Sequence, residues 1–119
     1  MRAEASEPMA DPHLQSHDAV PEVQMLPGVF RRTLNHGDRT SIHEIRIDQG
    51  AVVPDHTHPH EQTGYLVSGR MRFEMPGLVR ELAPGDSWLV PGDIPHSVTA
   101  LSDVIALDVF SPVREEYLD

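Results

Sequence analysis

Polar and apolar residues alternate along most of the chain downstream of Val23. In residues 70–75, Arg70, Arg72 and Glu74 share one parity and Met71, Phe73 and Met75 the other. That is the period of a half-buried strand. No stretch keeps a helical period for three turns. Turn signals interrupt the alternation at Asn35-His36-Gly37-Asp38, Asp48-Gln49-Gly50, Ser68-Gly69, Met75-Pro76-Gly77, Ala83-Pro84-Gly85-Asp86 and Pro91-Gly92-Asp93. Strands are predicted near 28–35, 40–48, 51–58, 62–68, 70–75, 78–82, 87–90, 96–101 and 104–110. Short strands at this spacing point to an all-β sandwich or barrel of the jelly-roll kind.

Residues 1–22 break the pattern. Arg2 stands there against Glu4, Glu7, Asp11, Asp18 and Glu22, with Pro8, Pro12 and Pro21 between them. Such a segment is expected to be a disordered acidic tail, with residues 23–119 forming a single domain. His13 and His17 are read as solvated groups of that tail. Residues 1–8 lack an apolar core, so no secretory signal is expected and the default location is cytoplasmic.

Composition narrows the chemistry. The 119 residues include 9 basic and 19 acidic ones, for a formal charge of −10. That argues against nucleic acid as a partner. No apolar run is long enough to span a membrane. Every basic residue is Arg, which removes Schiff-base chemistry on lysine. With no Cys, thiol nucleophiles, disulfides and thiolate metal sites are excluded. Eight His are a high number for this length and direct attention to a metal on imidazole and oxygen ligands.

The densest cluster is Asp55-His56-Thr57-His58-Pro59-His60-Glu61-Gln62. His56 and His58, two apart in a predicted strand, would leave the same face. Gln62 offers an amide oxygen, and His96, opening a later strand, is the candidate fourth ligand. His60 has the same parity but sits in the Pro59–Glu61 turn, which favours a supporting or solvated role. His43 shares a face with Ile45 and Ile47 and reads as a hydrogen-bonded wall histidine before a substrate contact.

These residues resemble two cupin motifs. Gly50, His56, His58, Gln62 and Gly69 match G-x5-H-x-H-x3-E-x6-G, with Gln62 in the Glu place. Gly85, Pro91 and His96 match G-x5-P-x-G-x2-H-x3-N, with Asp93 for Gly and Ala100 for Asn. The resemblance implies a double-stranded β-helix barrel holding one divalent ion (Zn, Ni, Fe or Mn) on His56, His58, Gln62 and His96. Three imidazoles and an amide leave the ion its full charge, which suits a non-redox Lewis acid.

Val104–Phe110 is apolar on both faces except at Asp108. A carboxylate inside such a strand is costly unless bound or paired, so Asp108 is a functional candidate beside the reading of an Asp held by backbone amides. HxHPHEQ, PHS and LDVFSPxRE together resemble KdgF-type cupins, the pectin degradation proteins that linearise unsaturated uronates. That likeness implies a pocket lined by Asp108, Phe110 and Arg114. It implies a ring-opening, isomerase-like enzyme acting on a 4,5-unsaturated monouronate, and a homodimer. Asp108 would move a proton and Arg114 grip the sugar carboxylate. For Arg114 a surface ion pair among Glu115, Glu116 and Asp119 stays open. The alternatives are a zinc cupin polyketide cyclase, a cupin dioxygenase and a non-catalytic sugar-binding module.

Overall fold

The computed structural model describes residues 9–118. Among these, ten strands form two antiparallel sheets. The strands are β1 (Val23–Leu26), β2 (Val29–His36), β3 (Ser41–Ile47), β4 (Val52–His56), β5 (Glu61–Ser68), β6 (Met71–Met75), β7 (Leu78–Leu82), β8 (Ser87–Val90), β9 (His96–Ala100) and β10 (Val104–Ser111). One sheet runs β1-β2-β3-β10-β5-β8 and the other β4-β9-β6-β7. The sheets pack face to face as a jelly-roll barrel, the all-β architecture the alternation predicted.

Each inner face follows the two-residue period. Val104, Ala106 and Phe110 of β10 are buried, as are Met71 and Phe73 of β6 and Val90 of β8. The same parity places Asp108 inside the barrel. β10 lies between β3 and β5, with Asp108 opposite His43 on one side and Gly64 on the other. Trp88 of β8 faces Gly64 in turn, so His43, Asp108, Gly64 and Trp88 form one row across four strands.

Two strands depart from the sequence expectation. β1 was not predicted, because four residues with Gln24 in their midst carry too little pattern to stand out. β4 stops at His56 rather than 58: its register with β9 shifts between Val53 and His56, around Pro54, which lacks a ladder donor.

Of the expected acidic tail, residues 1–8 lie outside the described residues. Residues 9–22 form no strand and are exposed at nearly every position. Three points touch the large sheet. Val20 is buried and its carbonyl accepts from Arg32. The His17 ring reaches Glu44 at 3.0 Å. Glu22 accepts two bonds from Arg46, at 2.9 and 3.1 Å.

Candidate metal centre and active cavity

His56 and His96 are direct partners across β4 and β9, with ring centroids 4.1 Å apart. His58 reaches them from the turn after β4, 5.7 Å from His56 and 4.9 Å from His96. It is therefore not a same-face strand neighbour of His56; the loop brings it in. That loop is fixed from the β8–β9 turn. The Asp93 N–H donates to the His58 carbonyl at 2.8 Å, and a Cβ on Gly92 would lie 2.4 Å from the Pro59 carbonyl oxygen. Asp93 has φ of 66°, the left-handed region that Gly adopts freely and Asp tolerates. The departure from the motif at this position thus keeps the motif's backbone shape.

One ligand atom from each of His56, His58 and His96 falls within 4.8 Å of the others. Each ring is oriented by a main-chain carbonyl at its Nδ1: Pro54 for His56 at 2.8 Å, Ile94 for His96 at 2.8 Å and His60 for His58 at 3.1 Å. Donation from Nδ1–H leaves the Nε2 lone pairs available, the tautomer a metal requires.

Two observations show that these residues fit a cation. Nε2 of His96 is buried with no hydrogen-bond partner, a costly state for a polar nitrogen. His58 sits between two acceptors, the His60 carbonyl at Nδ1 and Gln62 Oε1 at 3.0 Å from Nε2. A neutral imidazole carries one N–H and cannot donate both ways. Protonation is disfavoured, since burial and then the Arg114 charge push the His58 pKa down. Burial likewise lowers His96, to about 4. Lone pairs of His58 Nε2 and Gln62 Oε1 that face one another suit a shared cation.

Gln62 links this cluster to Asp108. Its Nε2–H donates to Asp108 Oδ1 at 2.9 Å, and the Trp88 indole N–H donates to the same oxygen at 3.0 Å. Burial raises the Asp108 pKa, and these two bonds offset part of the rise. With both donors on Oδ1, Oδ2 is the oxygen left for a ligand.

Phe110 is buried, with His58 at 5.3 Å and His43 at 5.4 Å. Arg114 lies over Phe110 at 4.9 Å and over Tyr117 at 4.0 Å. Its Nε donates to Glu116 at 3.2 Å, yet its side chain is only 10% exposed against 55% for Glu116. It lines the cavity rather than forming an ordinary surface pair. His60 is buried; its carbonyl orients His58, and its ring stands 5.5 Å from that of His58. His43 is a wall histidine, held by Thr33 Oγ1 at 3.0 Å and Ser41 Oγ at 2.8 Å.

The cavity measures about 320 Å³. His56, His96, Gln62, Asp108 and Arg114 bring polar groups to its lining, joined by Tyr117. Most of the rest is apolar, including Met25, Val29, Ile45, Val53, Met71 and Ala106. Sequence reasoning did not single out Trp88, Tyr117 or the β1 pair Met25 and Leu26, all of which reach the cavity. A lone tryptophan alternating with Val90 just before Pro91-Gly92 was the available signal for Trp88.

A family model described as "Cupin domain" matches residues 43–110. The chain belongs to the cupin family. This cupin is similar to KdgF from Halomonas sp., at 32% identity over 89% of this chain and 100% of that one, with a TM-score of 0.84. It is also similar to an RmlC-like cupin from Shewanella frigidimarina, at 27% identity over 92% and 98% of the two chains, with a TM-score of 0.86. Oxalate decarboxylase from Bacillus subtilis shares the fold at 21% identity and a TM-score of 0.77, this cupin spanning 30% of that chain. No curated protein sequence matches the chain. Among the described residues, no helix is long and apolar enough to cross a membrane.

Proposed function

We propose that this cupin is a metal-dependent, non-redox enzyme that converts 4,5-unsaturated monouronates, of the kind released from pectin or alginate, to their linear keto form. The observation that carries the reading is the meeting, in one cavity, of His56 and His96 from the three-histidine cluster, a buried carboxyl and a guanidinium. The likeness to KdgF supports the choice of substrate.

His56, His58, His96 and Gln62 would hold the ion, which would supply Lewis-acid polarisation of substrate oxygen when bound. The rest of the reaction falls to the chain. The reaction is an isomerisation with no added atoms. The C1 hydroxyl loses its proton, the bond from C1 to the ring oxygen breaks, and that oxygen becomes the enol hydroxyl. The enol then loses its O–H proton and gains one at carbon. Asp108 is the proposed proton carrier. Its raised pKa lets it hold the proton, and Gln62 and Trp88 fix Oδ1 so that Oδ2 meets the substrate. Arg114 would take the sugar carboxylate through its two-pronged face. Phe110 and Tyr117 hold that guanidinium against the wall and exclude water. A homodimer and a cytoplasmic location accompany the proposal, to be read by sedimentation and cell fractionation.

The test is incubation of metal-loaded protein with the unsaturated monouronate. Loss of the double-bond absorbance should exceed the spontaneous rate, and NMR should show the linear ketone. Equal rates with and without protein refute the reading. The apolar part of the cavity favours a second one, cyclisation of a less polar polyketide-type substrate by a zinc cupin. Turnover of such a substrate and not of the uronate would select it.

A further inference from the structure

Arg31 is a buried cation on the inner face of β2, a costly placement unless something engages it. Thr33, two residues along β2, and Tyr117, near the far end of the chain, are among its partners. NH1 donates to Thr33 Oγ1 at 2.8 Å and to the Tyr117 carbonyl, and its guanidinium rests 4.6 Å from the Tyr117 ring. The Thr33 hydroxyl donates to the same Tyr117 carbonyl. Tyr117 closes a single-turn 3-10 helix, Glu115–Tyr117, that follows Arg114. Its ring stands 5.2 Å from His43 and 4.0 Å from the Arg114 guanidinium on the cavity wall. The Tyr117 N–H returns to the Arg114 carbonyl at 3.0 Å, and the Arg114 N–H donates to Ser41 Oγ at 3.3 Å.

We propose that Arg31 is a positioning residue: it latches residues 112–118 to β2 through the Tyr117 carbonyl and thereby holds Arg114 in the cavity. A segment with one turn of helix and no strand partner has little stability of its own, so its docking depends on such anchors. Thr33 shares the latch, and the Tyr117 ring passes the constraint to Arg114 by stacking. The consequence for substrate rests on the anion-clamp reading of Arg114; the docking does not.

The test uses the full chain and three variants: Arg31→Met, of similar length without donors, Arg31→Lys, which restores a donor, and Thr33→Val. Limited trypsinolysis followed by mass spectrometry reads cleavage at the Arg114–Glu115 bond, and NMR reads the Arg114 δ protons, shifted upfield by the Tyr117 and Phe110 rings. Cleavage should be slow in the native protein and at least about ten-fold faster in Arg31→Met and Thr33→Val, since it tracks the open population. The δ-proton shifts should move to unstacked values in those two variants, and Arg31→Lys should recover most of both signals. If Arg31→Met does not fold, Thr33→Val decides. Native cleavage rates and native Arg114 shifts in the folded variants overturn the proposal. With uronate turnover, Arg31→Met should raise KM at unchanged kcat and add nothing in an Arg114→Ala background; an equal rise in that background also overturns it. No turnover by the native protein would sink the uronate reading alone, leaving the latch to the trypsin and NMR arms.

Discussion

Replacing Gly64 by Ala adds one methyl group at the most crowded point of the row that carries Asp108. The new Cβ would stand 2.0 Å from Trp88 Cε2 and 2.1 Å from Nε1. Gly64 is needed for space, because the indole lies across its backbone to reach Asp108. The ring cannot yield freely. Trp88 is 8% exposed, packs 5.5 Å from Phe73 and donates to Asp108 at 3.0 Å. Moving it costs a hydrogen bond to a carboxyl, about 1.5–3 kcal/mol, plus overpacking strain of about 1–3 kcal/mol. Loss of chain entropy in the unfolded state returns only about 0.4–1 kcal/mol. The net destabilisation is about 1.5–5.5 kcal/mol, a large part of a typical domain's stability. For a domain of this size that lowers Tm by roughly 6–22 °C. Trp88 is the only tryptophan, so its fluorescence reports the site without labelling. Gly64→Ala should lower Tm by that amount and red-shift the folded-state emission. In a Trp88→Leu background the same substitution should cost far less, because the clash is gone. A native Tm with native emission would refute the argument that Gly64 exists to let Trp88 pass.

Other expectations follow from the same geometry. Native protein should carry about one divalent ion per chain, and His56→Ala or His96→Ala should strip it; metal analysis showing full retention in both would remove the ligand assignment. Asp108→Asn should keep the fold and metal content and lower uronate turnover by roughly 100-fold, with an unchanged rate marking Asp108 as structural. Arg114→Ala should raise KM for the acidic sugar and spare a neutral analogue; equal losses on both would contradict the clamp. His43 bears on pH: burial lowers its pKa from 6.5 to about 4, so the unfolded chain binds the extra proton first. Its contribution, up to about 3 kcal/mol, is complete above pH 6.5 and lost as pH falls towards 4. Urea titrations of metal-free protein should show a fall to which His58 and His96 also add, and His43→Gln should remove the His43 share of it; parallel curves would dismiss His43 as a source.

The motif spacing made His56, His58, Gln62 and His96 legible as a group, and Asp108 was legible as the one polar residue in Val104–Phe110, a strand apolar on both faces. Both depend on local patterns that a sequence displays directly. Trp88 and Gly64 escaped notice because their meaning lies in cross-strand register, which pairs β5 with β8 and β10 and has no local trace. β1 escaped because Met25 and Leu26 gain their role only from the cavity they border. His58 was placed on a strand by parity, whereas the register shift at Pro54 ends β4 before it. Arg114 stood between two readings in sequence, its acidic neighbours suggesting a surface pair; the fold turns its stem inward over two aromatic rings and leaves Glu116 outside.

The three imidazoles are aimed by the carbonyls of Pro54, His60 and Ile94. No side chain performs this aiming, so no single substitution can delete it. A codon change at any of the three would alter what projects from the backbone while the orienting oxygen stays in place. Ring direction and basicity are thereby insulated from mutation, and drift in the neighbourhood acts on the centre only by moving the main chain. Pro54, Pro59 and Pro95, which flank the ligands, stiffen that main chain. In evolutionary terms the centre is robust in its scaffold and free at its rim, so a lineage can remodel what the pocket accepts while the three rings keep their aim.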